Sequence, residues 1–286
     1  KLAREIVLID IHEEKTIGEA LDIQHGIPDM GISSVRAGTY ADCKDCDLII
    51  ITAGRNRKRG ESRLDLIAGN SAILKDVVGQ MKPYYTKGVI MIVSNPVDVL
   101  VYQCTKWMGL PNGMVFGTGC ILDSSRFTRL IADYTHLNTE VVKATIVGEH
   151  GDAQIPIWSR ASIAGVPLQE YCENVGLKWD EEIRKEISDK VREMGATIIK
   201  GKGRTHYGIA TCVCYLAEAV LNQRLTIAPV STMFQGEYGI EDVCLSVPSI
   251  IGVNGVEKRL EERWAEEEFQ AFRQAADKMK KVLKTL

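Results

Sequence analysis

The chain has 286 residues, 45% of them hydrophobic, and a formal net charge of −3. That length exceeds what one core usually serves, so two linked subdomains are expected. The near-neutral balance gives no reason to expect nucleic acid or a membrane as partner. No apolar run reaches the roughly 20 residues that a membrane span requires, and no secretory signal is visible.

In chain order, "EIVLID" reads as a strand ending in Asp10, followed by a polar, helix-compatible "EEKTIGEALDIQHG". "DLIIITAG" and "GVIMIVSNP" are two further strand runs, with a helical pattern from Arg63 to Lys82 between them. An amphipathic stretch, "GMVFGTG" and a helix-like "SSRFTRLIADYT" follow. Continuous β-branched runs alternating with helices indicate βαβ units, hence a doubly wound parallel sheet. The second half differs. "EVVKATIVGEHGD" and "LTIAPVSTMFQGEYGIEDVCLSVPSIIGVNG" read as antiparallel strands, among helices over 180–200, 206–222 and 261–286. The fold class expected is therefore α/β. A Rossmann domain over 1–117 is followed by a mixed α/β substrate domain over 118–286. A dinucleotide fold usually opens on a strand and G-x-G-x-x-G. "KLAREIVLID" fits the step from the first helix into the second strand, and the glycine loop is absent from this sequence.

Eight cysteines include one CxxC, Cys43 and Cys46 in "DCKDCD". A zinc site needs a second pair at similar spacing. Cys212 and Cys214 are separated by a single residue on a helix-like segment and point different ways. Structural thiols, no metal and a reduced, cytoplasmic setting are expected.

Ligands of open α/β sheets bind beyond the carboxyl ends of the strands. Asp10 stands at such an end, where a carboxylate accepts hydrogen bonds from the ribose hydroxyls of NAD and repels the extra phosphate of NADP. "TAG" (Thr52, Ala53, Gly54) and "SNP" (Ser94, Asn95, Pro96) end two more strands. Gly54 would let the backbone approach a pyrophosphate, and Asn95 could hydrogen-bond the nicotinamide or the reacting oxygen. In "GEHGD" His150 stands between small residues after a strand. In "LDSSRF" Asp123 and Arg126 are three apart on a helix and share a face. That face can offer a carboxylate to an imidazole and a guanidinium to a substrate.

With these residues in view, the chain resembles the lactate/malate dehydrogenase family over almost its whole length. The resemblance is carried in order by "VLIDI", "ITAG", "GESRLDL", "VSNPVDVL", "GTGCILDSSRF", "GEHGD", "YGIEDVCLSVP" and "NGVEKRL". It implies NAD as cofactor, a small 2-keto or 2-hydroxy acid as partner, and a homotetramer. His150 resembles the family's proton donor and acceptor, and Asp123 the carboxylate that holds it. Arg126 resembles the clamp on the substrate carboxylate, and Arg63 the loop arginine that polarises the carbonyl. Asp10, Thr52, Ala53, Gly54, Ser94 and Asn95 match the cofactor side. Thr205 matches the substrate-domain wall. The family pattern would place the glycine loop ahead of Lys1.

The same resemblance makes the cationic run "GRNRKRGESR" the mobile active-site loop, whose anions are a substrate carboxylate and a developing alkoxide. Arg57 falls at its discriminating position, glutamine in typical lactate dehydrogenases and arginine in malate dehydrogenases. Arginine can pair with the second carboxylate of oxaloacetate, whereas beside the methyl of pyruvate it is a desolvated charge without a partner. The charge argument favours malate dehydrogenase. The framework "GESRLDL", "GEHGD" and "RTHYGIA" keeps lactate dehydrogenase as the alternative. A non-catalytic homologue acting as a binding protein is a third reading, opposed by the joint presence of His150, Asp123, Arg126 and Arg63. Thr128 and Lys143 stand where members activated by a sugar bisphosphate carry an arginine and a histidine, so strong activation of that kind is not expected.

Overall fold

The structure is a computed structural model describing residues 2–29, 33–56 and 62–286, without the side chains of Asp29 and Arg63. β1 (Glu5–Leu8), α1 (Glu13–Gly26) and β2 (Ser34–Ala37) form one βαβ unit, whose strands pair in parallel as a sheet of their own. β3 (Leu48–Ile51), α2 (Arg63–Met81), β4 (Val89–Ile92), α3 (Val97–Met108) and β5 (Val115–Gly117) continue the pattern. Their strands lie parallel and adjacent in the order β3-β4-β5. All of β4 is buried, which is why "VIMI" is apolar without alternation. Ile51, Ile90, Ile92, Leu74, Leu100 and Val101 form the core between this sheet and the helices α2 and α3. Ile9 and Tyr40 pack on the same core, which ties the end of β1 to it.

α4 (Ile121–Thr135) follows β5 directly. Gly119 makes this junction possible. Its φ is +51°, and a Cβ there would lie 2.3 Å from Ser246 Oγ and 2.5 Å from the Ser231 nitrogen. Only glycine lets the chain turn this closely against the strands behind it. Next come β6 (Val142–Lys143), β7 (Ile146–Gly148), β8 (Gln154–Pro156), β9 (Ser162–Ile163) and β10 (Val166–Pro167). Three helices follow, α5 (Leu168–Val175), α6 (Glu181–Lys202) and α7 (Tyr207–Leu221). The long antiparallel pair β11 (Thr226–Gln235) and β12 (Glu241–Gly252), then β13 (Gly255–Arg259) and α8 (Glu266–Leu283), complete the chain.

The parallel strands do not end as a separate sheet. β11 pairs β5 at Ser231 and Gly117, giving the order β3-β4-β5-β11-β12-β7-β8, with β13 on β12. β10-β9-β6 form a small separate sheet. One feature departs from the sequence reading: α8 begins at Glu266 rather than near Glu261. The polar groups of the intervening segment are committed elsewhere. Glu261 accepts from the Tyr238 amide at 2.8 Å, the Glu262 amide donates to Tyr238 Oη at 2.8 Å, and Trp264 stacks on Tyr238 at 4.7 Å. Among the described residues no helix is long and apolar enough to cross a membrane.

Candidate active site

α4 presents its first turn toward β7. The Cys120 amide at its start donates to Ser246 Oγ (3.1 Å), which satisfies one of the orphan donors of the helix end. Asp123 follows in the first turn, 3% exposed, with Arg126 one turn on. Asp123 Oδ1 accepts from Arg126 Nη1 at 3.0 Å, and its Oδ2 lies 2.5 Å from His150 Nδ1. The expected shared face therefore exists, and its carboxylate holds both the imidazole and the guanidinium.

His150 reaches this point through Gly148 at the end of β7. Gly148 has φ +90°, and a Cβ there would lie 2.9 Å from Ile155 Cδ1 and 3.0 Å from the Ala153 carbonyl. The imidazole is 26% exposed, so one edge faces solvent while the other meets Asp123. Burial by itself would lower the pKa of His150. The negative charge and hydrogen bond of Asp123, with the charge of Asp98 behind, outweigh burial and the opposing Arg126, so the pKa is raised from the ordinary 6.5.

The second part of the site lies beyond β3 and β4, whose parallel alignment brings their carboxyl ends together. Thr52, Ala53, Gly54 and Asn95 are exposed there, and Ser94 Oγ donates to the Ala53 carbonyl at 2.6 Å. Asn70, 2% exposed on α2, locks the two loops to each other. Its Oδ1 accepts from the Arg55 amide (2.9 Å), and its Nδ2 donates to the carbonyls of Arg55 (3.1 Å) and Asn95 (2.6 Å). Asp10 lies two residues past β1, exposed, with Oδ1 accepting from the His12 amide at 3.0 Å. An exposed strand-end carboxylate and a shelf of exposed backbone fit a ligand that offers hydroxyls, and the carboxylate disfavours an added phosphate there.

Of the residues expected from sequence, the structure brings together His150, Asp123 and Arg126, and separately Thr52, Ala53, Gly54, Ser94 and Asn95. Thr205 is exposed in the corner between α6 and α7. Arg57 lies outside the described residues, as does the side chain of Arg63, whose backbone opens α2 after the Ser62–Asp65 capping box. Sequence reasoning missed Asn70 and Asp98. The available signals were an amide amid the apolar residues of the first half of α2, and an acidic residue that reads as ordinary helix-start chemistry after "SNP". The eight cysteines are free thiols, all buried except Cys46 and Cys214.

A lactate/malate dehydrogenase NAD-binding domain model matches residues 1–117, and the alpha/beta C-terminal domain model of the same family matches residues 120–286. The chain belongs to the lactate/malate dehydrogenase family. Its N-terminal part is accordingly a Rossmann-type NAD-binding domain, and the protein is an NAD-dependent L-2-hydroxyacid dehydrogenase. An L-lactate dehydrogenase of Acetivibrio thermocellus is 39% identical over 285 residues, spanning 100% of this chain and 90% of the relative. One from Thermoanaerobacterium saccharolyticum is 42% identical over 282 residues, spanning 99% of this chain and 91% of the relative. Among solved structures, a minor L-lactate dehydrogenase of Enterococcus mundtii superposes with a TM-score of 0.95 at 38% identity, covering 99% of this chain and 90% of the other. These family relatives carry the lactate name, against the malate preference expected from the charge of Arg57.

Proposed function

We propose that this dehydrogenase is an L-lactate dehydrogenase, interconverting pyruvate and L-lactate. The observation that carries the chemistry is the Asp123 carboxylate, held between His150 Nδ1 at 2.5 Å and Arg126 Nη1 at 3.0 Å. The names of the relatives support pyruvate as the keto acid.

Asp123 occupies Nδ1 of His150, which leaves Nε2 to face the substrate and deliver a proton to its keto oxygen. Arg126 supplies a planar guanidinium to the substrate carboxylate, a two-pronged contact that orients the keto carbon. Bound NADH supplies the hydride. Asp10 is the acceptor for ribose hydroxyls. Thr52, Ala53, Gly54, Ser94 and Asn95 would hold the rest of the cofactor, with Asn95 as a hydrogen-bonding group for the nicotinamide or the reacting oxygen. Arg63, at the start of α2, is assigned to the developing negative charge on the keto oxygen and Thr205 to the substrate wall, both from the family resemblance. Charge stabilisation and proton delivery act together on the keto oxygen. The division at 117/118, a homotetramer and a cytoplasmic setting belong to the same reading.

A second reading, malate dehydrogenase, is favoured by Arg57 alone, through the charge it offers to the outer carboxylate of oxaloacetate. Steady-state kcat/KM with NADH for pyruvate and oxaloacetate separates the two, in wild type and in Arg57→Gln. Wild type should prefer pyruvate, and the substitution should widen that preference about tenfold or more by removing the one partner oxaloacetate has. A wild-type preference for oxaloacetate that collapses in Arg57→Gln overturns the lactate assignment in favour of malate.

A further inference from the structure

Behind the His150 loop lies a buried acid that the proposed chemistry leaves unused. Asp98, in the first turn of α3, is 2% exposed. Its Oδ2 accepts from the backbone amide of His150 at 2.9 Å, and its Oδ1 accepts from Ser231 Oγ at 2.6 Å. Ser231 is fully buried on β11, opposite Ser246 of β12, and Ser246 in turn pairs with Gly148 at the end of β7. One carboxylate thus joins α3, β11 and the loop after β7. These are the elements that follow Asn95, back the sheet and carry His150.

We propose that Asp98 is a positioning residue for His150: its buried carboxylate fixes the loop backbone that carries the imidazole and supplies a second negative charge beside that of Asp123. The inference rests on the proposed proton-transfer role of His150. A buried carboxylate is costly and persists where donors hold it. Here one of those donors is the backbone of the residue whose side chain is to carry a proton. A neutral amide or a hydroxyl could have satisfied the same two donors. What only the carboxylate adds is charge, and that charge contributes to the raised proton affinity of His150. Among the described residues, the other charged groups acting on the imidazole are Asp123 and Arg126, both from α4. Its loop neighbours Glu149 and Asp152 line the groove against α8 instead, together with Lys278.

Asp98→Asn separates charge from geometry. The amide oxygen can accept from the His150 amide while its NH2 donates to Ser231 Oγ, so these two contacts survive and the charge does not. The direct readout is an NMR titration of the His150 ring proton, assigned by its loss in His150→Asn. In Asp98→Asn the His150 pKa should fall by about one unit. NADH binding should stay within about two-fold of wild type, since one pKa unit measures the proton rather than the cofactor. A His150 pKa equal to wild type in a folded Asp98→Asn protein overturns the electrostatic role. If wild type reduces no keto acid at all, the functional reading fails, while the titration still decides whether Asp98 governs His150. Should Asp98→Asn not fold, Ser231→Ala removes one anchor and keeps the charge. Turnover should then drop several-fold with the His150 pKa not lowered, and wild-type turnover would overturn the positioning role.

Discussion

Asp123 is shared: one oxygen stands 2.5 Å from His150 Nδ1 and the other 3.0 Å from Arg126 Nη1, with the carboxylate 4% exposed. A single buried carboxylate therefore orients both groups assigned to the substrate. Asp123→Asn keeps the shape but can no longer serve two cations at once. It should lower kcat at neutral pH by about 10²-fold or more, because the imidazole loses both its orientation and its preference for the charged form. NADH binding, measured by fluorescence, should be little altered. Turnover within a few-fold of wild type would remove Asp123 from the proton-transfer unit.

The raised pKa of His150 gives the pH dependence its sign. Keto-acid reduction needs the protonated ring, so kcat/KM should be level at low pH and fall tenfold per unit once pH passes a midpoint above 6.5. Oxidation of the hydroxy acid needs the neutral ring and should rise through the same midpoint. In stability terms, the ring's contribution is fully present below its unfolded value and is lost as pH rises through the folded one. A reduction profile whose midpoint lies below 6.5 contradicts the Asp123 pairing.

Arg126→Lys replaces a fork with a point charge. The substrate carboxylate loses the two-pronged contact, and Asp123 keeps at most a single-point partner. We expect kcat/KM for pyruvate to fall about 10²-fold, mostly through KM, with the NADH dissociation constant nearly unchanged. A loss confined to kcat would point to a distorted His150 rather than to a missing clamp.

Asn70→Ala should cost about 1–2 kcal/mol, because the Arg55 amide and the Asn95 carbonyl lose their side-chain partner in a part-buried setting. The measurement is a urea unfolding curve, with a lower midpoint at an unchanged slope. NADH affinity should weaken as well, since the "TAG" and "SNP" loops are no longer locked together. Wild-type stability would show that the backbone of these loops holds its position unaided.

Much of this protein is legible in its sequence, for local reasons. "VIMI" announces a strand buried on both faces because a parallel sheet covered by helices leaves no polar side. Asp123 and Arg126 share a face because three residues make nearly one helical turn. The motif frame then identifies the family and the residues to look at. Tertiary structure alone decided what joins distant segments. Only the fold carries His150 across 27 residues of sequence to Asp123, and brings Asp98 to the His150 amide across 52. Asn70 and Asp98 were illegible for the same reason: an amide in a helix and an acid in a first turn are ordinary locally. Their meaning comes from the backbone groups that packing delivers to them. The late start of α8 is of this kind too, since a segment with good helical pattern yields its polar groups to Tyr238, a partner that sequence spacing does not reveal.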